Sequence, residues 1–228
     1  VAQSAMIARI PIAHIHGGEI TEGLIDEAIR HSLTKMSHLH FPATESYSDR
    51  IKQLGENPEH IFNFGAPGID SINNLKLLEK NDISKAIGFE LNKKYFIVTH
   101  HPVTLSSSSG TEGLTNLLSA LDEYPQYQVI ISYPNADTNS RELIELIDNY
   151  YLKNKKRIFL SRSLGQLIYL SSIKHCEMVI GNSSSGLIEA PAFKVPTVNI
   201  GNRQKGRTTG ESVINCDDSK TSITNAIN

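Results

Sequence analysis

From residue 95 onward the chain repeats one pattern: a short unbroken apolar run, then a longer segment with apolar residues at helical spacing. Runs at 95–99, 129–132, 157–160, 177–180 and 197–200 are predicted strands, and helices are predicted near 112–122, 139–150, 164–173 and 186–193. A strand that is apolar throughout is covered on both faces, and strands joined through helices run parallel. The pattern therefore restricts the chain to an α/β fold built on a doubly wound parallel sheet. Ligands in such folds sit at the carboxyl ends of strands. His100-His101-Pro102, Pro134-Asn135 and the turn after Ile180 all fall there.

That turn opens the stretch GNSSSGLIEAPAFKVPTVNIGNRQKGRTTG, residues 181–210. Gly181 breaks the strand, Asn182 and three serines follow, and a helix begins near Gly186. Free N–H groups and the positive end of the helix dipole converge on such a turn, which makes it an anion site. A single serine would read as a helix cap. Three serines, with Arg203, Lys205 and Arg207 beyond the next strand, point to a phosphate or diphosphate. Leu187 and Ile188 stand where a triphosphate P-loop needs Lys and Ser or Thr, and no Gly-x-Ser-x-Gly elbow can be read.

A second cluster lies in HIHGGEITEGLIDEAIRH, residues 14–31, between an apolar strand within 7–15 and a helix expected over 24–36. Glu19 sits in a glycine-rich loop at the strand's carboxyl end beside His16, a setting suited to acid–base work. Glu22, Asp26 and Arg30 follow at i, i+4 and would share a helix face. Glu22 and Glu27 read as surface pairs; His16, Glu19 and Asp26 read as proton-transfer candidates, an Asp26–Arg30 surface pair being the plain alternative. A His-x-His strand end can open a zinc or binuclear site, but the carboxylate spacing does not match, no other His or Asp recurs at successive strand ends in a barrel-like register, and the fold reads doubly wound. No metal and no cofactor are expected. His31, His38 and His40 read as helix-end or packing residues.

Ahead of residue 95, short strands are expected at 39–41 and 61–64 and a helix at 46–54, with a domain boundary near 68–82 and a surface loop at 105–110. The chain begins without Met inside a helix-like stretch, as a fragment would. A net charge of −2 argues against a dedicated nucleic-acid binder and leaves small anions to local basic groups. The two cysteines, Cys176 and Cys216, read as thiols rather than a disulfide, which suits the cytoplasm. No apolar run is long enough for a membrane span, and no signal peptide is visible.

On the two stretches above, and on FGAPGID, THHPVT and YPNAD, the sequence resembles the UDP-N-acetylglucosamine 2-epimerase family. It is most similar to the hydrolysing branch that serves sialic-acid and legionaminic-acid type sugars. The resemblance implies a GT-B-like fold, two Rossmann-like domains facing across a cleft. Residues 1–68 would be the last part of the first domain, and 69–228 the nucleotide-binding domain without its last helix. It implies a catalytic set of His16, Glu19, Asp26, Arg30 and His101. UDP contacts would come from Asn135, Ser183, Ser184, Glu189, Arg203 and Arg207. Many members carry Glu where His16 stands, so either His16 or Glu19 takes that role, or the substrate differs. A further catalytic Asp of the family precedes this stretch. The implied partner is a UDP-linked sugar, with no nucleic acid, no membrane and a homodimer or homotetramer. The implied reaction releases UDP and N-acetylmannosamine. The rivals are a UDP- or GDP-linked diacetamido sugar, a non-hydrolysing epimerase, and a binding module without turnover.

Overall fold

The computed structural model describes residues 1–22, 24–103, 110–135 and 140–228. The loop expected at 105–110 lies outside the described residues save for Gly110, as do Ala136 and Asp137 of the YPNAD stretch. The amino-terminal elements are α1 (Ala2–Ile7), β1 (Ala13–Ile15), α2 (Asp26–Met36), β2 (Leu39–Phe41), α3 (Glu45–Gln53), α4 (Pro67–Asn74) and α5 (Lys80–Ile87). Regular alternation follows: β3 (Tyr95–Thr99), α6 (Thr111–Leu121), β4 (Gln128–Ser132), α7 (Ser140–Asn154), β5 (Ile158–Ser161), α8 (Gly165–His175), β6 (Met178–Gly181), α9 (Ser185–Ala192) and β7 (Thr197–Ile200). Strand β8 (Val213–Cys216) and helix α10 (Lys220–Ile227) complete the chain, and sequence reading named neither.

Strands β3 to β8 form a six-stranded sheet in the order β5-β4-β3-β6-β7-β8, every pair parallel. The chain builds outward from β3 through β4 to β5, then returns to lay β6 on the other side of β3. The order therefore reverses between β3 and β6, where Thr99 pairs with Gly181. Crevices open at such switch points.

Successive strand residues face opposite sides of the sheet, and two cores result. Phe96, Val98, Val129, Ile131, Ile180 and Val198 pack under α6, α7 and α10 through Leu117, Leu121, Leu143, Ile147 and Ile223. Tyr95, Ile97, Ile130 and Val179 pack under α4, α5, α8 and α9 through Ile72, Ile83, Leu170, Ile173 and Ala190. The region read as a boundary, 68–82, is thus largely helical and helps to cover this sheet. Pro67 opens α4 at a position where its missing N–H costs nothing. Cys176 is buried, Cys216 half-buried, and both are free thiols. Among the described residues no helix is long and apolar enough to cross a membrane.

The first unit is smaller. β1 and β2 form a parallel two-stranded sheet with His14 opposite His40. The strand expected within 7–15 is shorter, because Ile7 still belongs to α1. The strand expected at 61–64 is one bridge, His40 to Ile61, with a single rung from Phe62 N–H to His40 O at 2.8 Å. Beyond that rung Phe62 and Phe64 stack with Phe41, at 5.7 to 6.4 Å between ring centres, instead of continuing the ladder.

Candidate active site

The switch point between β3 and β6 is locked by one side chain. Asn182, 1% exposed, accepts from the His101 N–H at 2.7 Å and donates to His101 O at 2.8 Å. Gly181 is required ahead of it: its φ is 137°, and a Cβ would lie 2.0 Å from Thr99 O. Ser183 and Ser184 then lead into α9. Ser184 stands at the N-cap position, and its carbonyl accepts from Leu187 and Ile188. Ser185 is buried and bonded to the Tyr169 hydroxyl, and it lines the same cavity as Ser183.

His101 is buried, and its Nδ1 accepts from the Asn135 N–H at 3.1 Å. That leaves the ring proton on Nε2. Burial, with Arg203 and His100 nearby, pushes its pKa down to about 3; burial and Arg203 push His100 down to about 4. Both rings are therefore neutral near pH 7, and His101 carries its proton on Nε2 without a positive charge. His101, Asn135 and Ser183 line one cavity of about 320 Å³, with Arg162 and Ser163 from the β5–α8 connection and Gly165 and Gln166 at the start of α8. Sequence reading missed that connection, since it carries no glycine-rich signature or charge run. Glu189 lies on α9, where burial raises its pKa and one carboxylate oxygen is buried without a hydrogen bond. Arg203 donates to Asn182 O at 3.2 Å.

These titrations set an acid limit on stability. A histidine with a depressed folded-state pKa is neutral in the fold, while the unfolded chain binds its proton near pH 6.5. Stability from His100 and His101 is complete above that value and is lost as pH falls toward about 4 and about 3. Urea unfolding is expected to show a loss of about 2 kcal/mol per histidine between pH 6.5 and pH 5. Equal stabilities at pH 7 and pH 5 would contradict the assignment. Glu19, with a lowered pKa, contributes only to losses at still lower pH.

The second cleft, about 330 Å³, lies where the two units meet. His14, His16, Glu19, Asp26 and Arg30 line it from one side, Ile188 and Arg207 from the other. Glu19 is 5% exposed; one oxygen lies 3.3 Å from His16 Nδ1, and the other accepts from Arg207 at 2.9 Å. Burial opposes its ionisation, but the His16 hydrogen bond and the Arg207 charge outweigh burial and hold its pKa below the usual carboxylate value. His16 holds a left-handed backbone with φ 64°, uncommon outside glycine.

Two readings of this segment need correction. Helix α2 begins at Asp26, so Glu22 is not on its face; Glu22 pairs with Lys205 at 2.8 Å. Glu27, read as a surface residue, accepts from the Thr21 N–H at 2.6 Å and from Arg30 at 3.2 Å, and lies 2.8 Å from His31 Nε2. It takes the Arg30 partnership that the plain alternative gave to Asp26, because it reaches the turn ahead of the helix while Asp26 faces the cleft. Among the described residues no group of three or more His, Cys, Asp or Glu is placed to hold a metal ion.

Residues 1–228 match the family described as UDP-N-acetylglucosamine 2-epimerase. The chain belongs to that family. It is 44% identical over its whole length to the polysialic acid biosynthesis protein P7 of Escherichia coli, covering 58% of that protein. It is 42% identical, over 94% of its length, to the GDP/UDP-N,N'-diacetylbacillosamine 2-epimerase (hydrolyzing) of Campylobacter jejuni subsp. jejuni serotype O:2, covering 56% of that enzyme. The chain thus spans little more than half the length of these family members. The UDP-GlcNAc 2-epimerase of Methanocaldococcus jannaschii, solved in complex with UDP-GlcNAc and UDP, superposes with a TM-score of 0.81 at 24% identity. That match covers 99% of this chain and 64% of the solved one, and at this identity it shows the shared fold alone.

Proposed function

We propose that the protein is a hydrolysing nucleotide-sugar 2-epimerase, with UDP-N-acetylglucosamine as substrate and UDP and N-acetylmannosamine as products. The observation that carries this reading is the pairing of two sites: a serine turn at the switch point, and a buried ionised carboxylate, Glu19, in the cleft beside it. Residues 1–68 read as the end of one Rossmann-like domain and 69–228 as the nucleotide-binding one.

In the first stage the C1–O bond breaks, UDP leaves with the electron pair, and a base takes the C2 proton. The product is a glycal-type intermediate. A C2 proton is weakly acidic, so the step needs a positioned base and a stabilised leaving group. Glu19, held ionised in the cleft between His16 and Arg207, is the candidate base. The Ser183–Ser184 turn and the Nε2 proton of His101 would donate to the diphosphate. Glu189, with a buried carboxylate oxygen lacking a partner, would accept from ribose hydroxyls. In the second stage water adds to C1, and C2 regains a proton from the opposite face. Asp26, which lines the same cleft, is the candidate donor, and Arg30 is positioned to hold charge there.

One observation favours a second substrate. A neighbouring cavity of about 460 Å³ shares His16 and Glu19; Ala43, Ala66, Ile69, Leu187 and Pro191 make most of its wall apolar, beside Thr44, Asp70, Thr208 and Thr209. Apolar walls suit the acetamido and deoxy positions of a diacetamido sugar better than hydroxyls, and the Campylobacter relative is named for such a substrate.

The full gene product, incubated with UDP-N-acetylglucosamine and with UDP- and GDP-linked diacetamido sugars, is expected to release free nucleoside diphosphate and a 2-epimerised sugar from one of them. Interconversion without release would make it a non-hydrolysing epimerase. Binding without conversion would make it a binding module.

A further inference from the structure

A continuous line of hydrogen bonds joins the two sites, and its central residue has no role in the reading above. Gln204 lies in the β7–β8 connection and is 2% exposed. Its amide nitrogen donates to Asn182 O at 2.7 Å, and its amide oxygen accepts from Arg207 at 2.8 Å. Arg207 passes its other nitrogen to Glu19 at 2.9 Å. Asn182 is itself bonded in both directions to the His101 backbone, and the His101 ring to Asn135. The line therefore runs Asn135, His101, Asn182, Gln204, Arg207, Glu19.

The Gln204 amide fits only one way round. Turned over, its oxygen would face a carbonyl and its NH₂ a guanidinium, and both bonds would become repulsions. A buried aliphatic side chain would fill the same space without polar demands. The polar choice places a rigid two-ended connector between the turn proposed for the diphosphate and the carboxylate proposed for proton transfer. The loop around it grips the first unit at other points. Lys205 O accepts from the Glu22 N–H at 3.2 Å, and the Thr208 N–H donates to the Tyr47 hydroxyl at 3.1 Å.

We propose that Gln204 is a positioning residue that couples occupancy of the nucleotide turn to the placement of Arg207 and Glu19. The proposal rests on the nucleotide-sugar reading for the identity of the ligand, and on the geometry alone for the connection. Diphosphate arriving at the Ser183 turn must adjust the Asn182 backbone, the first carbonyl after the strand. Gln204 transmits that adjustment to the guanidinium that holds Glu19. Coupling of this kind is reciprocal, so the state of Glu19 also bears on nucleotide binding.

The test uses the full gene product at pH 7, with UDP as probe. NMR signals of the Arg207 guanidinium and the Glu19 carboxylate are assigned from Arg207→Lys and Glu19→Gln. UDP is expected to move both signals in the unsubstituted protein. In Gln204→Met, which keeps the volume, UDP still binds within about threefold, as for sites that no longer interact, but moves neither signal. Turnover in that variant falls in kcat with KM nearly unchanged. Gln204→Glu serves as a second variant if Gln204→Met does not fold. It keeps the acceptor for Arg207 and loses the donor to Asn182, so the response to UDP is again lost.

Equal responses to UDP in the variant and the unsubstituted protein would overturn the coupling. So would bound UDP that leaves both signals unmoved in the unsubstituted protein. Absence of UDP binding would instead count against the nucleotide reading. The connection itself is then judged without ligand: Gln204→Met must already displace the Arg207 and Glu19 signals, and unchanged signals would overturn it.

Discussion

Glu19→Gln is expected to lower turnover by about 10²–10⁴-fold, the range for removing a positioned acid or base. The substitution keeps the side-chain shape and its bond to Arg207 but removes the negative charge. That charge is what the surroundings select. Burial disfavours it, yet the His16 hydrogen bond and Arg207 overcome burial and keep the group ionised. A neutral amide cannot take the C2 proton. It also leaves Arg207, which is largely buried, without its counter-charge, so a stability measurement must accompany the kinetics. UDP binding, which depends on the turn at the other site, should survive. Deuterium exchange at C2 is the direct readout. Normal incorporation in a folded Glu19→Gln protein would pass the role to Asp26 or His16.

Gly181→Ala is expected to cost on the order of 4 kcal/mol or more, at the extreme of single-residue effects. Two causes add. The φ of 137° belongs to a region closed to residues with a Cβ, and the added carbon would sit 2.0 Å from Thr99 O. Relief requires β6 to part from β3 at the switch point, the centre of the sheet, which also displaces Asn182. Gly165→Ala is the matched control. Its φ of 68° is strained for alanine, but nothing lies within 4 Å of the added carbon. That change should cost only about 1–2 kcal/mol. Urea unfolding of both variants checks the pair, and similar small losses would show that the sheet yields at Gly181.

Five strands of the six-stranded sheet were legible because their causes are local. Unbroken apolar runs such as Tyr95 to Thr99 need cover on both faces, and each alternates with a helical period. The last two elements were missed for the same reason. Strand β8, Val213–Cys216, carries Asn215 and an exposed Ile214, so it lacks the unbroken apolar pattern of strands such as β3, and it is pairing with β7 that makes it the sheet edge. The 61–64 run shows the converse: its apolar residues are strand-like, but Phe62 and Phe64 stack on Phe41 and leave only one rung.

At the site, the sequence by itself determined the turn. Gly181, the polar residues after it and the helix beyond specify a strand end with free N–H groups, all within a few residues. What it could not determine was the direction of the charges. Arg207 read only as a substrate-binding residue; its partner Glu19, 188 residues away, was not legible. Glu27 read as solvated, yet it holds Thr21, Arg30 and His31. A charge in a sequence does not name its partner. A buried charge without one costs several kcal/mol, so the partner is whichever opposite charge the fold encloses beside it. Only the packing of the β7–β8 connection against residues 19–22 encloses Arg207 with Glu19, and that packing is a property of the folded chain.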